Sequence, residues 1–307
     1  MSTGAQTTVY YVKETVPGTT PDTPAWKAIG YKSINLKRSQ PPLESERMRG
    51  DRMASPSVNG VVETSGEIVT ELVYGEQDDF IAGALGGDWV SNKVKVGKLN
   101  QTFSILEKMD GVTGKKWRIY KGCVVNSLSL PQEAGSIIPA TYGFVGMDGG
   151  FLADAPTGST FLPATENISM TSMVGALTLD GADLSTCTAL SLEIDNGAEA
   201  RPVVGSYYSM PIVQRICKVT GTATLYYDDS ALAEKAQTEE RIALMFEYKD
   251  GVGNKYVVEA TKVKPSDAWP SIDGPNDITM EVALTFDVDN AIGSNVTITR
   301  VPAAVAP

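Results

Sequence analysis

The residues best suited to chemistry are two pairs of adjacent aspartates, Asp78-Asp79 and Asp228-Asp229. Paired carboxylates act as general acids and bases, or hold a metal ion, when they converge on one site. Adjacent positions on a helix do not face each other, and each pair stands where a short helix is predicted to begin. A carboxylate there caps free N–H groups and suits the helix dipole, so we predict helix caps rather than a reactive site.

The other residue types that usually carry catalysis are absent or isolated. The sequence has no histidine, which excludes Ser-His-Asp and Cys-His arrangements and any His-ligated metal. Its three cysteines, Cys123, Cys187 and Cys217, are odd in number and widely spaced, so neither a disulfide framework nor a common zinc site is indicated. We predict reduced, mostly buried thiols, no cofactor, no metal and no enzymatic activity.

Two related segments indicate an internal duplication. Residues 106–125, LEKMDGVTGKKWRIYKGCVV, return as residues 246–263, FEYKDGVGNKYVVEATKV, which aligns Asp110 with Asp250. Asp-Gly between alternating apolar residues is a strong hairpin signal. Each copy also predicts the same order of strand, short helix, strand, turn and strand. At 307 residues the length favours about two domains, predicted at 1–155 and 156–307, with a linker at 147–167.

Alternating apolar residues predict strands through most of the chain, so the fold class is mainly β. The predicted strands include 26–39, 63–74, 137–146 and 279–288. One face of the strand at 63–74 carries Ile68, Thr70, Leu72 and Tyr74, and the apolar face at 279–288 carries Val282, Leu284, Phe286 and Val288. In the strand at 137–146, Ala140, Tyr142 and Phe144 are predicted to lie inside. The first module is expected to carry an N-terminal arm and, at 40–60, a long protruding loop with prolines and mixed charges.

The net charge of −11 is carried by the second half. Residues 1–150 hold equal numbers of acidic and basic side chains, whereas acids outnumber bases about two to one in 151–307. This balance argues against tight nucleic-acid binding, which needs Lys and Arg to neutralise phosphates. The apolar runs are also shorter than the roughly 20 residues that a membrane-spanning helix needs.

Many short segments together resemble one known family. They include ETVPGTTPDTPAWKAIGYKSINLKRS, RMRGDRMASPSVNGVVETSGEIVTELVYGEQDDFIAGALGGDW, SLEIDNGAEARPVVGS, VTGTATLYYDDSALAEKA and FEYKDGVGNKYVVEATKVKPSD. In this order they resemble the major tail tube proteins of long-tailed, siphovirus-type bacteriophages. The resemblance implies two tandem modules, each a β-sandwich or half-barrel with one short helix, that share an inner β-barrel in a ring. Such rings stack into a hollow conduit for genome ejection.

The resemblance also implies partners and a location. Copies of the chain would assemble with the tape measure, tail terminator and distal tail proteins in the host cytoplasm, and the product would be the virion tail. Double-stranded DNA would pass through the lumen without specific binding, and no membrane would be involved. Because each chain holds two modules, we expect a trimeric, pseudo-hexameric ring, with a homohexamer of the whole chain as the alternative.

Two groups of residues are candidates for contact with DNA and with neighbouring subunits. An acidic or neutral lumen avoids retaining DNA, and its candidate lining residues are Glu281, Thr285, Asp287, Glu67 and Glu71. Inter-ring contacts are expected from the basic run and from the arm, with candidates Lys37, Arg38, Arg47, Arg49, Arg52, Val9, Tyr10 and Tyr11. A solvated loop and a local edge strand are the competing interpretations.

A second class of function is an extracellular β-sandwich adhesin or carbohydrate-binding module. Arg49-Gly50-Asp51 matches a cell-adhesion motif, but a three-residue match in a predicted loop is mostly chance. The N-terminus lacks the basic and apolar regions of a secretory signal, which disfavours this class. The structural tube subunit is therefore the preferred prediction.

Overall fold

The computed structural model describes residues 3–173, 175–272 and 274–303, and strands dominate them, as the sequence predicts. The first half holds a 3-10 turn, Gly4–Gln6, a helix, α1, Asp78–Leu85, and the following strands: β1 Thr7–Lys13, β2 Ala25–Ile29, β3 Ser33–Ile34, β4 Lys37–Ser39, β5 Pro42–Leu43, β6 Val58–Asn59, β7 Glu63–Glu71, β8 Lys93–Lys95, β9 Phe103–Met109, β10 Trp117–Glu133, β11 Pro139–Gly146, β12 Asp148–Leu152 and β13 Thr160–Leu162.

The second half holds one helix, α2, Ala231–Gln237, and eight strands: β14 Leu177–Leu179, β15 Ala182–Asp183, β16 Cys187–Asp195, β17 Lys218–Tyr226, β18 Ile242–Lys249, β19 Lys255–Ser271, β20 Thr279–Phe286 and β21 Thr297–Val301. None of the helices in the described residues has the length and apolar character of a membrane span.

The largest feature is a row of antiparallel strands that runs through both halves. Its order is β3 and β4 along one edge, then β7, β11, β10, β16, β17, β20 and β19. The joint between the halves is the pairing of β10 with β16, which extends from Ser127 opposite Asp195 to Glu133 opposite Ala189. We call this arrangement the strand row.

Two strands of 17 residues each, β10 and β19, link the strand row to an outer sheet in each half. The first part of β10 pairs with β9 and β12, and its later part pairs with β11 and β16. The first part of β19 likewise pairs with β18 and β21, and its later part pairs with β20. The change of sheet in β10 falls between Cys123 and Val124. Irregular pairing on either side of it, between Tyr120 and Cys123 and between Val125 and Ser127, bends the strand.

The core of the first half lies between its two sheets and helix α1. Phe80 on α1 is fully buried, and its ring packs against those of Phe103, Tyr142 and Phe144 at centroid distances of 5.2 to 5.4 Å. Gly83 lies one turn further on, where a Cβ atom would come 3.0 Å from the Phe103 ring. The absence of a side chain there lets the helix lie close against the sheets.

Most of the predicted strand faces are confirmed. Ile68, Thr70 and Leu72 are buried, and so are Ala140, Tyr142, Phe144, Val282, Leu284 and Phe286. The prediction for Val288 is wrong, because β20 ends at Phe286 and the Val288 side chain is 59% exposed. The predicted strand at 26–39 is divided into β2, β3 and β4. The predicted linker at 147–167 contains β12 and β13, which pair with β10 and β2 of the first half.

The capping role predicted for the aspartates is wrong in the first half. Helix α1 begins at Asp78 itself, and neither Asp78 nor Asp79 lies at the N-cap position, which Gln77 occupies without a side-chain hydrogen bond. The two carboxylates still lie in the first turn, where the dipole favours negative charge. In the second half the Asp229 carboxylate accepts a hydrogen bond from the Ala231 N–H at 2.9 Å, just before α2.

Both Asp-Gly segments form the predicted hairpin turns, between β9 and β10 and between β18 and β19. The two turns differ in burial. Asp250 is 1% exposed, and its Oδ1 accepts hydrogen bonds from the N–H groups of Val252, Gly253 and Asn254 at 2.7 to 2.9 Å. Asp110 is exposed, and its carboxylate pairs with Lys108. The aspartate therefore organises the second turn and is peripheral to the first.

We predict that Asp250→Ala lowers the free energy of unfolding by about 2–3 kcal/mol, because several turn N–H groups lose a charged acceptor. Asp110→Ala is the matched control and should change it by less than about 0.5 kcal/mol. Urea unfolding of the two variants measures both effects. Equal losses would contradict the assignment of the turn to Asp250.

Candidate assembly face

One face of the strand row packs on the core, and the opposite face carries short polar side chains. The alternation places Leu128, Leu192, Ala223 and Val282 inside. The outward positions between them are mainly hydroxyl residues: Ser65, Ser127, Ser129, Thr141, Ser191, Thr220, Thr222, Thr224, Thr279, Thr285, Ser266 and Ser271. We call this surface the polar face. It crosses both halves without interruption at the joint between β10 and β16.

The polar face is also acidic. Its carboxylates outnumber its lysines, the carboxylates being Glu63, Glu67, Glu71, Glu133, Glu193, Asp195 and Glu281, and the lysines Lys37, Lys218 and Lys264. The fold therefore brings Glu67, Glu71, Glu281 and Thr285, which lie far apart in sequence, onto one surface. Asp287 lies just beyond β20, where its Oδ2 is 3.0 Å from the Arg241 Nε.

The predicted loop at 40–60 is a projecting hairpin in which β5 pairs with β6. The side chains of Arg47, Arg49 and Arg52 are exposed near its tip, and Arg49 Nε lies 3.6 Å from Asp51 Oδ2. Lys37 and Arg38 lie at its base in β4, where Arg38 Nε is 3.4 Å from Asp148 Oδ1. The hairpin thus presents three arginines to solvent beside the acidic side chains of Glu44, Glu46 and Asp51, and it is basic only together with Lys37 and Arg38 at its base.

The structure changes the interpretation of the N-terminal arm. Strand β1 is paired on both sides within the chain, with β2 and with β9. Val9 is fully buried and Tyr11 is 2% exposed, so these two side chains belong to the core and cannot serve as inter-ring contacts. Tyr10 points the other way, and its ring packs on that of Phe161 at 4.8 Å. The alternation of the strand, apolar inward on alternate residues, explains this division.

The three cysteine thiols lie apart from one another, and burial keeps them protonated. Burial raises the pKa of the Cys187 and Cys217 thiols to about 11, and burial also raises the pKa of the Cys123 thiol well above its usual range. All three are free cysteines, as predicted. In the described residues no group of histidine, cysteine, aspartate or glutamate side chains has the geometry of a metal site.

A buried polar contact joins helix α1 of the first half to strands of the second. The Tyr256 hydroxyl on β19 donates to Asp78 Oδ1 at 2.5 Å and accepts from the Gly75 N–H at 2.8 Å. Arg300 on β21 forms an ion pair with the same aspartate and lies over the Trp89 ring at 4.9 Å. Burial, together with the Asp78 charge, raises the pKa of Tyr256, so the hydroxyl stays a donor. Asp78 therefore helps to hold the first half of the chain against the second.

Local sequence patterns predict only part of the polar face. Residues 187–195 were not recognised as a strand, although Leu190, Leu192 and Ile194 alternate there with Ser191 and Glu193. That alternation was the available signal. The pairing of β10 with β16 leaves no such signal, because a local sequence pattern does not show which distant strand is the partner.

The strand row, its polar face and the projecting hairpin describe a β-sheet protein whose largest surfaces are suited to assembly. The chain matches the family model described as phage tail tube protein over residues 4–289, and it belongs to that family. The resemblance seen in the sequence is thus confirmed over nearly the whole chain. Membership makes the chain a structural component of the phage tail, hence of the virion, and implies assembly with itself and with other tail proteins. The comparison with curated proteins gives no match.

We predict that Tyr256→Phe lowers the free energy of unfolding by about 1–2 kcal/mol, because Asp78 and the Gly75 N–H each lose a buried partner. Tyr226→Phe is a suitable control, since Tyr226 is 45% exposed at the end of β17. Thermal and urea unfolding should separate the two variants. A loss at Tyr226 as large as that at Tyr256 would contradict the positioning role of the Asp78 contact.

Proposed function

We propose that this chain is the repeating subunit of a tail tube, whose rings stack into a hollow conduit for genome ejection. The observation that carries the proposal is the strand row, which is apolar on one face and short, polar and acidic on the other. A sheet of this kind, closed into a barrel through several chains, has a packed outer layer and a wet inner wall. Family membership supports the tube, and the strand row supports the proposal for its wall.

The two halves support a duplicated module. The order β7, α1, β9, β10, β11 in the first half is matched by β17, α2, β18, β19, β20 in the second. The pairings also correspond, since β11 lies between β7 and β10 and β20 lies between β17 and β19. We assign the modules to 1–155 and 156–307. Each contributes four strand positions to the row, so three chains give about 24, enough for an open channel.

The polar face is proposed as the lumen wall. Lysine and arginine contacts to phosphates add a salt-dependent affinity that would slow DNA, and carboxylates prevent it by repulsion. Glu67, Glu71, Glu281 and Thr285 lie on this face, and Asp287 lies at its rim beside Arg241. DNA would pass without specific binding.

The basic hairpin is proposed as an inter-ring contact. Arg47, Arg49 and Arg52 project from the body of the chain, and the second half carries the excess of acidic residues. Opposite charges on successive rings would guide stacking and weaken with salt. Lys37 and Arg38 would contribute from the base of the hairpin, and Tyr10 from the outer sheet. The tube would end on tail terminator and distal tail proteins, enclose the tape measure protein, and assemble in the host cytoplasm.

Electron microscopy of the purified protein tests the function. We expect rings or tubes whose cross-section contains three chains and six modules, with the Glu67 and Glu281 side chains on the channel wall. Whole-chain hexamers, with twelve modules in a ring, would contradict the trimer. A protein that stays monomeric under all assembly conditions, or carboxylates on the outer surface, would contradict the tube or its lining.

Charge reversal tests the hairpin. The triple variant Arg47→Glu, Arg49→Glu, Arg52→Glu should raise the protein concentration needed for stacking about tenfold at low salt, through lost and reversed ion pairs. The difference from wild type should shrink near 1 M salt, where the screening length is about 3 Å.

The matched control for charge reversal changes three exposed lysines outside the hairpin, Lys93, Lys98 and Lys115, to glutamate. It alters the net charge equally and should leave stacking near the wild-type value. Equal effects of the two triple variants at every salt concentration would show that net charge, not the hairpin, governs stacking.

A further inference from the structure

The strand row has two open edges. At one edge β3 and β4 pair with β7 on one side only, and at the other edge residues 264–271 of β19 pair with β20 on one side only, within the described residues. Strand edges present unpaired N–H and C=O groups that other strands can join. Pro265 and Pro270 lie on the second edge, and prolines are confined to such positions because they cannot donate to a ladder.

The joint between the two halves shows how such edges meet. There, residues 127–133 of β10 pair with 189–195 of β16, and Ser129 lies opposite Glu193. Strand β10 reaches the joint after pairing with β11, as β19 pairs with β20. Ser129 lies opposite Thr141 of β11, and Ser266 lies opposite Ala283 of β20, so Ser266 occupies the place of Ser129.

The opposite edge has the same correspondence. Residues 33–37 read Ser-Ile-Asn-Leu-Lys and residues 191–195 read Ser-Leu-Glu-Ile-Asp, with the same alternation. Ser33 lies opposite Val69 of β7, and the Asn35 N–H donates to the Glu67 carbonyl at 3.0 Å. In the second half Glu193 lies opposite Thr220 of β17, so Asn35 takes the place of Glu193.

We propose that the edge at 264–271 of one chain pairs antiparallel with 33–37 of a second copy, in the register of the joint between β10 and β16. This places Ser266 opposite Asn35 of the neighbouring copy. Because β19 carries one extra residue in its pairing with β20 between Ser266 and Trp269, it is Trp269 that then lies opposite Ser33. The proposal rests on the proposed function and specifies the partner and the contact that close the ring. Both edges are used once per chain, which makes the contact head to tail and lets it close.

The pairing also accounts for an exposed aromatic side chain. Trp269 is 75% exposed, a large apolar area for a residue on an otherwise hydroxyl-rich surface. In the proposed register the indole lies beside the neighbour's Ser33, at the place that Pro131 holds beside Ser191 in the internal joint. The contact would remove part of that apolar surface from water.

Cysteine cross-linking tests the register. Paired strands bring opposite Cα atoms to about 4.5–5.5 Å, within the range that a disulfide requires. Ser266→Cys with Asn35→Cys should give, on mild oxidation of assembled protein, covalent dimers and trimers in a non-reducing gel. Because Asn35 also bonds the backbone of β7, Ser33→Cys with Trp269→Cys is a second pair that avoids this loss.

Two controls fix the interpretation. Ser129→Cys with Glu193→Cys at the internal joint should give a bond within one chain and no ladder, which shows that the oxidation works. Ser33→Cys with Lys264→Cys uses the same two edges in a wrong register and should not cross-link. Wild-type protein reports any contribution from the three native cysteines.

The outcomes separate this inference from the proposed function. A ladder ending at trimers, from either in-register pair, supports the inference. Tubes in the microscope without cross-links from either in-register pair would overturn it and leave the tube function standing. Cross-links from the wrong-register pair alone would also overturn it. The absence of rings and tubes from wild-type protein would overturn the function itself.

Discussion

Backbone hydrogen bonding in the two 17-residue strands is the constraint on which the rest of the structure depends. Strands β10 and β19 each satisfy N–H and C=O groups in two sheets, so each half must bend its longest strand and place its helix in the angle between the sheets. The buried Phe80 ring occupies that angle in the first half. Strand β10 also pairs with β16, so this one strand connects the outer sheet, the core and the second half.

The two halves share a plan but differ in how well their helices are covered. Six of the eight α1 residues are buried, whereas only Leu232 and Ala233 are buried in α2. The difference arises because the loop after β16 lies against α1, with the Gln214 side chain donating to the Gly83 carbonyl and Asn196 donating to the Ala84 carbonyl. Helix α2 instead contacts the turn between β14 and β15, where Lys235 Nζ donates to Asp180 Oδ2 at 2.6 Å. Equivalent elements therefore experience different surroundings within one chain.

Local patterns predicted much of this fold, because alternation and turn chemistry act over a few residues. They identified the two Asp-Gly hairpins, the buried faces around Tyr142 and Leu284, and the carboxylates at Glu67 and Glu281 that share the polar face. They failed where distant segments decide the outcome. The local pattern at Asp78 predicts a cap because its partners Tyr256 and Arg300 lie far along the chain. The pattern at β1 predicts an arm or an edge strand because its neighbours β2 and β9 cannot be inferred from its own residues.

The abundance of serine and threonine on the polar face has a consequence for motion along it. These side chains are short, and threonine is restricted at χ1, so the long, mobile groups on this surface are its glutamates and lysines, with the glutamates in excess. The strands repeat about every 4.8 Å, and their hydroxyl groups would hold water at a similarly regular spacing. In the proposed tube, a molecule sliding over this face would meet a hydrated surface of low friction, with many weak and interchangeable contacts in place of a few strong ones.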